Sequence, residues 1–324
     1  LDAVTASVVR GDYIDPKAAK ITLTQYATAW ETTQVGRANT KRITDNALRL
    51  HILPTLGHRT VASLRRSDVQ GLIKAKSDEL AAGTVRNIYD TLARVLAAAV
   101  FDRVITSSPC VKITLPENTG GEVVPPTPEQ VLALVEAVDP RQRGLVVMLA
   151  GSGLRIGEAL GLDVTDVDFL RRTVRVERQL LQDNTLAPTK TKGSNRTVPL
   201  GQVVIDELVV HLAEYPSDGP LFTSEMGRRL TYRQWRPIWK AARVKAKVGE
   251  VDAHGLRHFC ASALISGGAS VKQVQTFLGH SSAAITLRVY AHMFPGDDDR
   301  TRDVMDAALS NLGDCLGTVD AREG

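Results

Sequence analysis

The sequence is short of cysteine, of long apolar runs and of strong net charge, and each shortage narrows what the protein does. Its three cysteines, Cys110, Cys260 and Cys315, stand far apart and have no His or Cys at ligand spacing. That argues against a disulfide framework or a zinc site and makes a reducing cytoplasm the expected compartment. No apolar stretch approaches the roughly 18–20 residues that span a bilayer, and no signal-peptide pattern opens the chain. No membrane partner is expected. Paired Asp/Glu clusters are also missing, which argues against two-metal chemistry. The net charge is only +4.

What is present fits a globular chain of two domains. The 324 residues are 43% hydrophobic and 23% charged, close to the usual composition. The mild net charge hides a pattern. Residues 21–115 carry 13 Lys and Arg against 7 Asp and Glu, a balance of +6. Residues 127–291 carry 21 against 16, or +5, and residues 292–324 carry 3 against 8, or −5. Two basic blocks followed by an acidic tail suggest a polyanionic partner for the blocks, although solvated helix faces produce the same counts.

Residues 1–20 read as a lead-in strap, and Leu1 at the first position suggests a chain that starts partway through a longer protein. From residue 21 to 113 the pattern is helical. Leu23, Tyr26, Ala27 and Trp30 fall on one helix face. Ile43, Ala47 and Leu50 form a second stripe that Pro54 and Gly57 end. Ser67 and Gln70 form an S-x-x-Q capping box for a third helix carrying Leu72, Ile73 and Leu80. Val85, Ile88, Leu92, Val95 and Leu96 mark a fourth. Candidate DNA-phosphate contacts here are Lys41, Arg42, Arg49, Arg65, Arg66, Lys74 and Lys76.

Residues 114–128 hold Pro116, Gly120, Gly121, Pro125, Pro126 and Pro128 and read as an interdomain linker. Thr127 is placed to cap the next helix, with Pro128 first and Gln130 third. Residues 129–299 mix elements. A buried helical run over 145–150 stops at Gly151-Ser152-Gly153, and a new helix starts within 154–162. Thr173–Glu177 alternates like a strand. Residues 186–200 read as a hairpin turning around Lys192-Gly193-Ser194-Asn195, and helices return after Pro220. Ser270 and Gln273 form another capping box after the Gly267-Gly268 stop. In the tail, 300–324, Val304, Met305, Ala308, Leu309 and Leu312 make an apolar helical stripe. The expected fold is mainly α with a small antiparallel β-sheet.

Several polar residues stand in unusual settings. Arg155 follows a glycine turn in Gly151-Ser152-Gly153-Leu154-Arg155-Ile156-Gly157-Glu158, with Glu158 placed to orient that turn. His254 and Arg257 share a helix face in Ala253-His254-Gly255-Leu256-Arg257-His258. His280 ends a helix in Phe277-Leu278-Gly279-His280, and Tyr290 follows ten residues later. Each alone has an ordinary explanation: a surface arginine, a satisfied structural histidine (His254 or His258), a core tyrosine. Together they hold a phenol nucleophile, two guanidinium forks for phosphate oxygens and imidazoles that move protons near neutral pH. Phenol, with a pKa of about 10, leaves phosphorus more easily than an alkoxide does.

These five segments, in this order, resemble the tyrosine recombinases of the phage-integrase type. The resemblance covers about residues 127–295, and the helical block before them resembles that family's core-binding domain. It implies a mixed α/β catalytic domain in which Arg155, Lys190, His254, Arg257, His280 and Tyr290 form the active site, His280 filling the family's last His/Trp position. In the hairpin Pro188-Thr189-Lys190-Thr191-Lys192-Gly193, the family's Lys-Thr pair favours Lys190 over Lys192, and both stay candidates for the acid that protonates the departing 5′ oxygen. Lys192 and Arg196 are further candidates for DNA contact.

The resemblance further implies site-specific cleavage and rejoining of double-stranded DNA through a 3′-phosphotyrosyl link, without metal, ATP or other cofactor. It implies homotetramers on paired sites, with the tail docking on a neighbouring subunit, accessory DNA-bending proteins, and an arm-DNA-binding domain ahead of residue 1. Rival readings are a type IB topoisomerase-like or telomere-resolving enzyme and a non-catalytic DNA-binding regulator. Strand exchange, hairpin ends and the covalent adduct separate them.

Overall fold

The computed structural model describes residues 20–36, 38–117, 123–189, 195–294, 302–303 and 305–309. The chain divides into two compact units between Gly120 and Gly121. No described helix is long and apolar enough to cross a membrane.

The first unit is helical. Helix α1 (Leu23–Thr33) starts at a reciprocal cap between Thr22 and Gln25 and buries the expected face of Leu23, Tyr26, Ala27 and Trp30. Helix α2 (Ala38–Ala47) runs through a π turn at Leu48–Ile52 into α3 (Leu53–Leu56). The wide turn rotates the stripe away from the simple period. Ile43 and Leu50 are therefore exposed, and Thr44, Ala47, Leu48 and Ile52 face the core instead.

Helix α4 (Arg66–Ser77) also departs from the sequence reading. Its cap is made by Asp68, which accepts from the Arg65 N–H at 2.8 Å, two residues earlier in register than the Ser67/Gln70 box. Gln70 instead exchanges two hydrogen bonds with the Thr114 backbone, at 2.9 and 3.0 Å. Helix α5 (Ala82–Phe101) supplies the long wall of this core with Val85, Ile88, Leu92, Val95 and Leu96.

The second unit begins with α6 (Pro128–Ala137), where Thr127 and Gln130 form the expected cap. Helix α7 (Pro140–Ser152) is buried along most of its length and stops where Gly153 turns left-handed at φ 60°. Helix α8 (Ile156–Leu160) follows. Strands β1 (Val167–Asp168), β2 (Thr173–Val176) and β5 (Arg196–Pro199) form one antiparallel sheet, in the order β1-β2-β5. Strands β3 (Arg178–Leu180) and β4 (Leu186–Pro188) form another.

The expected hairpin over 186–200 is thus split between two sheets. Val198 pairs with Val174, and both are fully buried, so the core selects β2 as the partner of β5. Leu186, on β4, is half exposed and pairs with Leu180. Residues 190–194, where the turn is expected, lie outside the described residues.

Helix α9 (Gln202–Glu214) has no counterpart in the sequence reading. It buries Val204, Ile205, Leu208 and His211, but Val203, Val209 and Val210 are exposed on its other side. Apolar residues on both faces blur the helical period. Helix α10 (Tyr232–Ala246) packs a stacked Trp235–Trp239 pair. Helices α11 (Ala253–Ser266), α12 (Val271–Leu278) and α13 (Ala283–Tyr290) close the unit around a small core of Ala261, Ile265, Val274, Leu278 and Tyr290. The Ser270/Gln273 box caps α12 as expected. In the tail, Met305, Ala308 and Leu309 are helical and exposed, while Val304 and Leu312 lie outside the described residues.

Candidate active site

The site is assembled where the end of α7, the start of α8, strand β5, the first turns of α11, the end of α12 and the end of α13 meet. Gly153 makes the corner possible. A Cβ there would lie 2.7 Å from Leu278 Cδ2, and the positive φ disfavours any side chain. Its carbonyl accepts from Arg257 Nη1 at 2.6 Å, and Arg257 Nη2 donates to the Leu278 carbonyl at 2.8 Å. Arg257 is 1% exposed and so pins the α7 corner to the end of α12.

Arg155 sits at the N-cap of α8, and its side chain is 41% exposed. Glu158 holds it twice: Oε2 accepts from the Arg155 N–H at 3.0 Å and Oε1 from Nη1 at 2.8 Å. Glu158 is itself buried and also receives Arg196 Nη2 at 3.0 Å. Burial alone would raise the Glu158 pKa, but Arg196 and then Arg155 outweigh it and hold the carboxyl below its usual range.

Arg196, expected to touch DNA, is instead buried, with Nε on the Phe277 carbonyl at 2.9 Å. Its guanidinium ties β5 to α8 and α12, so its place is inside the fold rather than on a phosphate.

The histidines stand in a chain. His254 and His258, one turn apart on α11, meet edge to face with centroids 4.7 Å apart. His258 Nδ1 lies 2.7 Å from the Tyr290 hydroxyl. His280, just past the left-handed Gly279, places Nδ1 2.8 Å from Thr286 Oγ1. Its ring stacks nearly parallel over Tyr290, at 6.5 Å between centroids. Burial and the neighbouring Arg257 and Arg155 push His280 down to about 4. Burial and then His254 push His258 down to about 4. His254 is open to solvent on one side, yet packing on the other side and Arg257 lower its pKa too.

Tyr290 is 1% exposed. Burial raises its hydroxyl to about 12, with Arg257 opposing. All three imidazoles are therefore neutral at pH 7 and the phenol is protonated.

The structure thus brings together Arg155, His254, Arg257, His280 and Tyr290, from positions up to 135 residues apart in the sequence. Lys190 and Lys192 lie outside the described residues. Beside them, buried Thr189 donates its hydroxyl hydrogen to Asn195 Oδ1 and its backbone N–H to the Glu177 carbonyl.

The remaining DNA-contact candidates fall in the first unit. Lys41 and Arg65 are exposed. Arg42 donates to Asn39 Oδ1 at 2.9 Å, and Arg49 lies 3.8 Å from Asp45. Lys74 and Lys76 pair with Asp78 and Glu79, and Arg66 is taken up by the carbonyls of Val111 and Lys112.

Two contributors escaped the sequence reading. His258 read as a structural histidine, although its place four residues after His254 puts it on the same face. Thr286 gave no local signal, because its partner His280 lies beyond its own helix. Among the described residues, no group of three or more His, Cys, Asp or Glu side chains could hold a metal ion.

Comparison with known proteins agrees with this geometry. The profile of the phage integrase family matches residues 127–296. A protein named tyrosine recombinase XerC from Actinobacillus succinogenes is 32% identical over 230 residues, covering 67% of this chain and 72% of its own. One named tyrosine recombinase XerC-like, from Caldanaerobacter subterraneus subsp. tengcongensis, is 29% identical over 245 residues, covering 65% of this chain. This chain spans 63% of that relative's length, and 58% of a tyrosine recombinase XerD from Mycobacterium leprae that is 34% identical over 196 residues.

Among solved structures, the Tn1549 transposon integrase in complex with transposon right end DNA superposes with a TM-score of 0.76 at 24% identity. It covers 88% of this chain and 99% of its own. A lambda integrase dimer bound to a core site gives 0.71 at 15% identity, covering 89% and 85%. Likeness at these identities speaks for the fold. With the family profile across more than half of its residues, the chain belongs to the phage integrase family, the tyrosine recombinases.

Proposed function

We propose that the chain is a site-specific DNA recombinase that breaks and rejoins double-stranded DNA through Tyr290. The observation that carries this reading is the buried Tyr290 hydroxyl, set among two arginines and three histidines drawn from separate segments of the chain. Tyr290 attacks the scissile phosphate, forms a 3′-phosphotyrosyl link and frees a 5′ hydroxyl. The phosphodiester bond energy is kept in the link and returned on rejoining.

Arg155, half exposed, offers its outer guanidinium edge to a non-bridging oxygen. Arg257 contributes a fixed positive charge from beneath, where low solvent access makes it act strongly on charge that grows in the transition state. His254 and His280 are neutral imidazoles and act as N–H donors. Lys190, outside the described residues, protonates the departing 5′ oxygen, and Lys192 is its alternate.

Exposed basic residues of the first unit, Lys41 and Arg65 foremost, hold the DNA backbone. A homotetramer on paired DNA sites, joined through the exposed Met305–Leu309 face of the tail, completes the reading, with DNA-bending proteins as accessories and the cytoplasm as the place of work.

A nicked suicide substrate tests it: wild type traps a covalent protein–DNA adduct and Tyr290→Phe traps none. An adduct that survives Tyr290→Phe would show a different nucleophile. Exchange of strands between two marked duplexes, rather than relaxation of one supercoiled circle, separates recombination from topoisomerase-like action. Deleting residues 300–324 should impair pairing of two sites more than binding of one.

A further inference from the structure

The proposed reaction leaves one proton unassigned. Tyr290 must lose its phenolic hydrogen as its oxygen bonds to phosphorus, and the residue is 1% exposed, so a protein group is the natural acceptor. Among the described residues, the hydrogen-bond partner of that hydroxyl is His258, with Nδ1 at 2.7 Å and the rings edge to face at 5.6 Å. The other histidines are placed differently. His280 lies parallel over the tyrosine ring, and its Nδ1 is engaged by Thr286. His254 meets His258, not the hydroxyl.

We propose that His258 is the proton acceptor of Tyr290: Nδ1 takes the phenolic proton as the oxygen closes on phosphorus, and gives it back when the strand is rejoined. This rests on the reading of Tyr290 as nucleophile. In cleavage the O–H bond of Tyr290 breaks and its proton goes to Nδ1. The Oη–P bond forms, the P–O5′ bond breaks, and the 5′ oxygen takes a proton from the leaving-group acid, Lys190 or its alternate Lys192. Rejoining runs the same steps backwards, with the His258 imidazolium protonating the departing phenolate.

The electrostatics keep this pair silent at rest. The groups around it are His254, Asp252 and Arg257 on α11, Cys260 one turn further, Arg155 and Glu158 at α8, Arg196 on β5 and His280 after α12. Burial, and then His254, hold His258 neutral, and the proposal takes the tautomer in which Nε2 carries the ring hydrogen and Nδ1 accepts from the Tyr290 hydroxyl. With Tyr290 near 12 and His258 near 4, the proton stays on the phenol until the Oη–P bond begins to form. Bond formation to phosphorus strips the oxygen of its basicity, so transfer and attack occur together.

The test is single-turnover adduct formation on the suicide substrate at saturating protein, from pH 5.5 to 9, for wild type, His258→Ala and His258→Gln. DNA binding and melting temperature are measured alongside. Wild type should show a flat acid side, because its base is neutral throughout. Both variants must react through free phenolate, so their rates should rise about tenfold per pH unit and fall roughly 100-fold or more below wild type at pH 7. Added imidazole should restore part of the His258→Ala rate.

A 5′-bridging phosphorothiolate substrate, whose leaving group needs no proton, should rescue Lys190→Ala but neither His258 variant. Should His258→Ala fail to fold, His258→Gln carries the same slope test. Profiles parallel to wild type, rates within about threefold of it, or rescue by the phosphorothiolate would overturn the proposal. No adduct from wild type, or one that survives Tyr290→Phe, would instead overturn the nucleophile reading.

Discussion

At Glu158 one buried carboxylate serves two arginines. Replacing Glu158 with Gln keeps the shape and removes the charge. Arg196, 6% exposed, then loses the charge of this carboxylate. Breaking a buried pair from one side costs about 3–5 kcal/mol. The Arg155 contact, with a side chain 41% exposed, adds at most about 1 kcal/mol after solvent screening.

A chain of two compact units need not unfold in one step, so the reporter must belong to the second. In a Trp30→Phe background the remaining tryptophans, Trp235 and Trp239, report it alone. A loss of about 4 kcal/mol should lower its melting temperature by roughly 8–16 °C. The pH dependence has a definite sign. The folded pKa of Glu158 is lowered, so its contribution is fully present above the ordinary carboxyl range and fades as pH falls through the folded value. Glu158→Gln should remove that part of acid sensitivity. A loss under about 1 kcal/mol, or an unchanged acid limb, would refute Glu158 as the countercharge that holds Arg155 and Arg196.

Other outcomes follow from the same contacts. Gly153→Ala places a Cβ 2.7 Å from Leu278 at a positive φ, and should cost about 1–3 kcal/mol in melting experiments while slowing adduct formation through the displaced Arg257 anchor. Lys41→Ala should lower the slope of log affinity against log salt by about one, read by DNA binding at several salt concentrations, whereas Arg196→Lys should leave that slope unchanged and lower stability. With about six phosphates neutralised, wild-type affinity should fall roughly 10³-fold between 50 and 200 mM salt, and a flat response would count against a backbone grip.

Much of this was legible in the sequence, and the failures have physical causes. Stripes such as Leu23-Tyr26-Ala27-Trp30 and caps such as Thr127/Gln130 are decided by neighbours in the chain, so local pattern found them. The π turn at Leu48–Ile52 defeated a strict 3.6 period. The partner of β5 depended on burying Val198 against Val174, a choice made by the core and invisible to a turn-centred reading of 186–200. Arg196 read as a surface charge because its carboxylate lies 38 residues away on α8. In the site, the residues singled out were those with unusual local settings. His258 was passed over because its role is defined by a hydroxyl 32 residues further on.

The same long-range contacts explain why a reactive group is safe inside this fold. Arg257 reaches the Gly153 and Leu278 carbonyls, Glu158 joins Arg155 to Arg196, and Arg196 reaches Phe277, so α7, α8, β5, α11 and α12 are tied around one point. Burial first, and then the positive charge around them, lower the pKa of all three histidines. A phosphate arriving beside Arg155 brings the missing negative charge and offsets the arginines that depress His280 and His254. The imidazoles then become easier to protonate at the moment the phenol must lose its proton. In the proposed reaction, the arginine cluster would thereby couple proton transfer to the arrival of the phosphate.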